Sequence, residues 1–231
     1  MPFFYYYDPT YFLVIIGFIF AMIASGGVQS AFKKYSKVKS YRNYTGADAA
    51  RKILDDNGLY NVRIEHINGN LSDHYDPKAN VIRLSDSTYS DTSVAAIGVA
   101  AHEAGHAVQH AVGYVPIKVR NAIVPAVNIA STLSMPLFLI GLLFAAPMLT
   151  NLGIILFSGA LVFQVVTLPV EFNASRRAIT ILNQSAMLEE DELRGAKKVL
   201  KAAAMTYVAA VISTALQLLR LVLLSNSRRR D

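Results

Sequence analysis

The stretch AAHEAGHAVQH, Ala100 to His110, holds three of the chain's five histidines in nine residues. His102 and His106 stand four apart, with Glu103 beside the first. On a helix, positions i and i+4 share a face, so both imidazoles can meet one ion. The flanks favour a helix. Ser90-Asp-Thr-Ser93 supplies caps for a helix that continues through Val94 to Val112, and Gly113 with Pro116 closes it. The rest of the chain must then bring a further ligand to this helix.

The chain has no cysteine, so any bound transition metal is held by His, Asp or Glu. Neutral imidazole suits Zn²⁺, expected here at one ion per chain. With one coordination position open, zinc lowers the pKa of a bound water to about 7. Glu103 is placed to take that water's proton as general base. A plainer reading makes the stretch a polar helix stripe. Against it, Ala100, Ala101, Ala104, Gly105 and Ala107 let another helix approach closely around a metal. His110, at i+8, lies roughly 12 Å farther along the axis, too far for the same ion, and reads as a surface or interfacial histidine. A metzincin site would need histidine at position 112, which is Val112.

Composition points to a membrane: 53% of residues are hydrophobic and only 16% charged. Four apolar runs, Tyr11 to Val28, Ala122 to Ala146, Leu152 to Val170 and Ala202 to Leu219, approach or reach the roughly 20 residues needed to cross a hydrocarbon core. No Lys or Arg precedes the first run, which reads as an anchor rather than a cleaved signal. Kinks are expected near Pro125, Pro136 and Pro169. The net charge of +6 sits beside apolar runs rather than in an aromatic-interleaved patch, so a lipid bilayer, not nucleic acid, is the expected counter-surface. Eighteen of the twenty-two Lys and Arg residues fall in Lys33 to Arg120 and Arg176 to Lys201, which the positive-inside rule assigns to the cytoplasm. Four spans would leave both termini outside, in conflict with Arg228-Arg229-Arg230; a fourth helix lying in the interface would remove the conflict.

The polar segment 33–120 carries local signals of a small α+β region. Thr45-Gly-Ala-Asp48 is a capping-box variant opening a helix that Asn57-Gly58 stops. Val62 to His66 and Val81 to Leu84 read as strands, and Asp76-Pro-Lys-Ala-Asn80 as a turn after a strand-like Leu71 to Tyr75. The expected result is a small antiparallel sheet. Glu189 to Lys201 reads as a surface helix running into the fourth span.

The third ligand must come from elsewhere. Glu171, an ionisable group at the end of the third apolar run, has a functional reading by default, and two helix ends meeting at one membrane surface would bring it to His102 and His106.

Three stretches together, GNLSDHYDPKANVIRLS (Gly69 to Ser85), AAHEAGHAVQ and TLPVEFNASRRA (Thr167 to Ala178), resemble the YugP-like neutral zinc metallopeptidases of bacterial membranes. The resemblance covers most of the chain from Lys33 onward. More distantly the layout is similar to the HtpX and CAAX-prenyl-protease type of gluzincin, in which HExxH, two spans and a Glu-x-x-Ala-Asp motif follow in order. The resemblance implies Glu171 as third ligand and puts Ser175 where an Asp usually supports the first ligand histidine; Ser175 would accept more weakly. It also implies a strand beside the cleft, with Leu71 to Leu84 as the edge, holding an extended peptide or protein substrate. His74, Tyr75 and Arg176 are the expected alternatives for donating to the oxyanion.

The expected molecule is thus a mostly α membrane protein of about four transmembrane helices with a cytoplasmic zincin-like α+β catalytic domain. Its segments are an anchor at 1–32, the catalytic region at 33–120, a transmembrane hairpin at 121–170, a third-ligand segment at 171–201, and a last transmembrane helix with a basic tail at 202–231. The expected activity is zinc-dependent endopeptidase action on membrane or membrane-proximal proteins, in the bacterial cytoplasmic membrane. A non-catalytic zinc-containing scaffold is the rival, disfavoured because Glu103 would have no use in it. A transporter ranks last, since the runs carry few ionisable residues and no inverted repeat.

Overall fold

A computed structural model describes residues 8–227. In chain order the elements are α1 (Tyr11–Tyr35), α2 (Gly46–Asp56), β1 (Arg63–Ile67), β2 (His74–Asp76), β3 (Val81–Ser85), α3 (Val94–Ala111), α4 (Val115–Leu143), α5 (Pro147–Gln184) and α6 (Glu190–Ser227). The basic tail Arg228-Arg229-Arg230 lies outside the described residues.

The chain divides into two compact units. One comprises Ala24–Val119 with Thr167–Thr206 and holds the HExxH helix; the other draws on the remaining parts of α1, α4, α5 and α6.

In the first unit, local chemistry sets the element boundaries. Thr45 caps α2 through a reciprocal pair in which Asp48 N donates to Thr45 Oγ1 at 3.1 Å and Thr45 N donates to Asp48 Oδ2 at 3.0 Å. Gly58, with φ of 71°, follows the helix and makes the left-handed turn that ends it. Ser93 caps α3, its hydroxyl accepting from Ala96 N, and Gly113 (φ 66°) follows its C-terminus. Asp76 Oδ1 accepts from Lys78 N and Ala79 N, which folds the chain back from β2 to β3.

The sheet corrects the expectation of an antiparallel one: it is mixed, in the order β1-β3-β2. β2 and β3 form the antiparallel hairpin read from the turn, but β1 pairs in parallel with β3. The expected edge strand Leu71 to Leu84 divides accordingly. Only His74–Asp76 lies at the edge, while Val81–Ser85 is central and its Val81, Ile82 and Leu84 are fully buried.

The core joins Ile53 and Leu54 of α2, Ile82 and Leu84 of β3, Ile97, Ala100 and Ala104 of α3, Ala178 and Leu182 of α5, and Ala196 and Leu200 of α6. Each fully buried Ile or Leu contributes about 1.5–3 kcal/mol relative to exposure. The alanines and glycines let helices meet backbone to backbone. At Gly105 a Cβ would stand 2.9 Å from the Ala174 carbonyl oxygen, so α3 and α5 touch directly there.

The second unit is built from apolar helix segments. Four helices, α1, α4, α5 and α6, are long and apolar enough to cross a membrane, with mean hydropathy of 1.8 to 2.3 over their best windows. Large apolar side chains such as Phe18, Ile129, Met148 and Ile155 point outward. Ser213 Oγ donates to Gly17 O at 2.8 Å across α6 and α1, and a Cβ at Gly153 would lie 2.7 Å from Ser134 O, so α4 and α5 also approach closely. Arg220, which lies within the apolar part of α6, pairs with Asp8 at 2.9 Å and lies over the Tyr11 ring. The apolar third run ends at Val170, one residue past Pro169, but α5 continues for fourteen residues more to Gln184. Glu171 therefore sits inside a continuous helix, because a proline removes one N–H bond without forbidding the next turn in a packed apolar helix.

The α3–α5 contact yields a prediction. Gly105→Val should destabilise the purified full chain by about 1–3 kcal/mol, read as a lowered melting temperature in detergent. Gly27→Ala, at a helical position with open space around its Cβ, should not lower the melting temperature.

Candidate metal centre

α3 presents His102 and His106 one turn apart, with Nε2 atoms separated by 3.1 Å. Glu171, 69 residues on from His102 and 3% exposed, enters from α5. Its Oε2 stands 3.3 Å from His102 Nε2 and 3.5 Å from His106 Nε2. Among the described residues these three form a group of potential metal ligands with all donor atoms within 4.8 Å of one another.

The donor set fits zinc. Bonds of about 2.0–2.1 Å in a tetrahedron separate neighbouring ligand atoms by roughly 3.3 Å, and the three separations bracket that value. Two nitrogens and one carboxylate oxygen leave a fourth position for solvent, the pattern of a catalytic rather than a closed site.

Neighbours orient both imidazoles. Gln109 is fully buried and its amide nitrogen donates to Val170 O at 2.8 Å and Asn173 Oδ1 at 2.9 Å. Its oxygen therefore faces His106 Nδ1, at 3.0 Å, and can only accept. That fixes the neutral tautomer with the proton on Nδ1 and leaves the Nε2 lone pair for a cation. Asn173 is held in turn by Arg177 Nε at 2.8 Å. At His102, Ser175 Oγ lies 3.2 Å from Nδ1, on the side away from the cluster.

Glu103 is 8% exposed, and its Oε2 accepts from Tyr75 N at 3.0 Å. The edge strand β2 is thereby tied to the acid next to the two histidines. Burial and the charge of Asp76 hold the Tyr75 hydroxyl above the usual tyrosine range, so it stays protonated; it donates to Asn80 Oδ1.

The other expected donors are placed differently. His74 is exposed, its ring meeting Ser72 O at 2.9 Å and Arg83 at 3.4 Å. Arg176 lines a separate cavity beside Ser175 whose walls include no metal-ligand group. His110 is exposed in the last turn of α3, its ring 6.1 Å from that of Tyr75. Gln109 and Asn173 were not read from the sequence as site residues. The available signal was an amide one helical turn past His106, a weak one, since glutamine in a helix is ordinarily solvated.

A family described as "Putative neutral zinc metallopeptidase" matches residues 10–226. The chain belongs to that family. It is also similar to a protein named "Putative membrane protease YugP" from Bacillus subtilis (strain 168), with 49% identity over 215 residues, 90% of this chain and 96% of that one. No solved structure matches the chain. Family membership and the donor set agree on zinc as the metal.

Two kinds of outcome are expected, the first from substitution. Glu171→Ala should lose stoichiometric zinc by elemental analysis, whereas Gln109→Leu should keep the fold and weaken zinc about 10–100-fold by competition with a chelator. The second is pH dependence. Burial pulls His106 down, but the Glu171 carboxylate, the charge of Glu103 and the Gln109 contact outweigh it and raise its pKa without metal. A raised histidine pKa favours the metal-free fold below the ordinary histidine range, and that contribution is lost as pH rises through the raised value. For zinc the sign is opposite, because the proton competes for Nε2. Affinity measured by the same competition should fall by about tenfold per unit as pH drops below that raised value.

Proposed function

We propose that the chain is a membrane-embedded zinc endopeptidase whose active site faces the cytoplasm. The observation that carries this reading is the trio of His102 Nε2, His106 Nε2 and Glu171 Oε2 at tetrahedral-edge separations, with Glu103 beside it. When bound, zinc supplies Lewis-acid polarisation of the scissile carbonyl and makes water acidic enough to attack near neutral pH.

The protein's own residues do the rest. Glu103 takes the proton of the attacking water and passes it to the amide nitrogen that leaves. Its low exposure keeps competing water away and strengthens the charge interaction. Gln109 and Ser175 hold the imidazoles from behind. β2 uses one edge to pair with β3, and its other side reaches Glu103 through Tyr75 N, so an extended peptide running beside that side passes the base. Tyr75 is therefore favoured among the expected oxyanion donors for contact with substrate.

Membrane or membrane-proximal proteins are the substrates suggested by the four apolar helices and by the relative's name. The cytoplasmic placement rests on the distribution of Lys and Arg along the chain. The scaffold alternative finds less support: a structural zinc site ordinarily has four protein ligands, and three donors come together among the described residues.

Glu103→Gln should retain zinc and lower hydrolysis of a peptide substrate by at least about 10²-fold in the purified protein; full activity in that variant would remove the enzyme reading. Sidedness has its own test, helped by the absence of native cysteine. Lys52→Cys should react with a membrane-impermeant maleimide only after the cells are opened, and labelling of intact cells would reverse the orientation.

A further inference from the structure

A cavity of about 390 Å³ opens between α5 and α6 in the unit that holds the metal centre. Its cations are Arg176 from α5 and Lys197 and Lys201 from α6, the two lysines i and i+4 on one helix face. No carboxylate lines it, and none of the three forms an ion pair among the described residues. The remaining wall is largely apolar, with Phe172, Ile179 and Leu200. Three uncompensated cations around one concavity, backed by apolar side chains, call for an anion with a hydrocarbon portion.

We propose that this cavity binds the phosphate headgroup of an anionic phospholipid. Sequence position supports a lipid. Lys201 directly precedes the apolar run that begins at Ala202, and Arg176 lies six residues beyond Val170, where the third apolar run ends. Both cations therefore fall where helices leave hydrocarbon, the level of lipid phosphates. The lining also speaks against a substrate subsite, since it includes none of His102, Glu103, His106 or Glu171. The cavity meets the metal centre only from behind, through Ser175, whose hydroxyl faces His102 Nδ1. The headgroup then binds beside the support of one metal ligand without entering the reaction. This site depends on the chain being membrane-embedded and not on its hydrolysing peptides, so loss of lipid binding and loss of activity are separate results.

The test is native mass spectrometry of the full chain released from mixed micelles holding equal phosphatidylglycerol and phosphatidylcholine. Phosphatidylglycerol should be retained preferentially. Lys197→Gln and Lys201→Gln should each lower that retention about fivefold, and the double variant more, since a cation near an anionic surface is worth about that factor. Lys→Arg at both positions should preserve it, as should Lys52→Gln on α2. Equal retention of the two lipids, or an unchanged double variant, would overturn the proposal. Displacement of the lipid by equimolar inorganic phosphate would assign the cavity to a small anion instead, and displacement by an acidic peptide would assign it to substrate; either result also overturns it.

Discussion

The close approach of α3 to α5 at Gly105 and Ala174 governs the metal centre. Any side chain at Gly105 would press on the Ala174 carbonyl, and the separation it allows lets Glu171 reach two imidazoles on the neighbouring helix. A carboxylate only 3% exposed would ordinarily cost several kcal/mol to hold charged. A protonated imidazole within 3.5 Å offsets that cost in the metal-free protein, and a divalent cation in the proton's place would offset it further. The same small residues that permit helix contact are therefore those that make a ligand set out of side chains 69 positions apart.

Rigidity around the histidines follows from what their outer nitrogens touch. His106 is locked by a buried amide whose other bonds go to α5, and His102 faces a hydroxyl from α5. Ligands and their supports thus come from the same pair of helices, so one packing decision orients all of them. Sites carried on helices hold their geometry better than sites on loops. The edge strand adds a hydrogen bond to Glu103, through a main-chain N–H rather than a side chain.

Much of this was legible in the sequence because the relevant signals are local. Thr45, Asp48, Ser93 and Gly113 act within a few residues of themselves, and the i, i+4 spacing of His102 and His106 needs only a helix. The sense of the sheet was not legible: alternation marks Val62 to His66 as a strand but says nothing about its partner, and the observed β1 skips β2 to lie beside β3. The apolar run gave out at Val170, whereas α5 runs on to Gln184, since helix continuity past the apolar stretch depends on neighbours. Gln109 was hidden for a related reason. Its role exists only because Val170 O and Asn173 lie across from it.

The most direct measurement is zinc-edge X-ray absorption combined with an anomalous difference map on the zinc-loaded protein. The account predicts one ion bound by two imidazole nitrogens, from His102 and His106, one oxygen from Glu171, and a light solvent atom in the remaining position. A fourth protein ligand closing the shell, or an ion bound without residue 171, would contradict it.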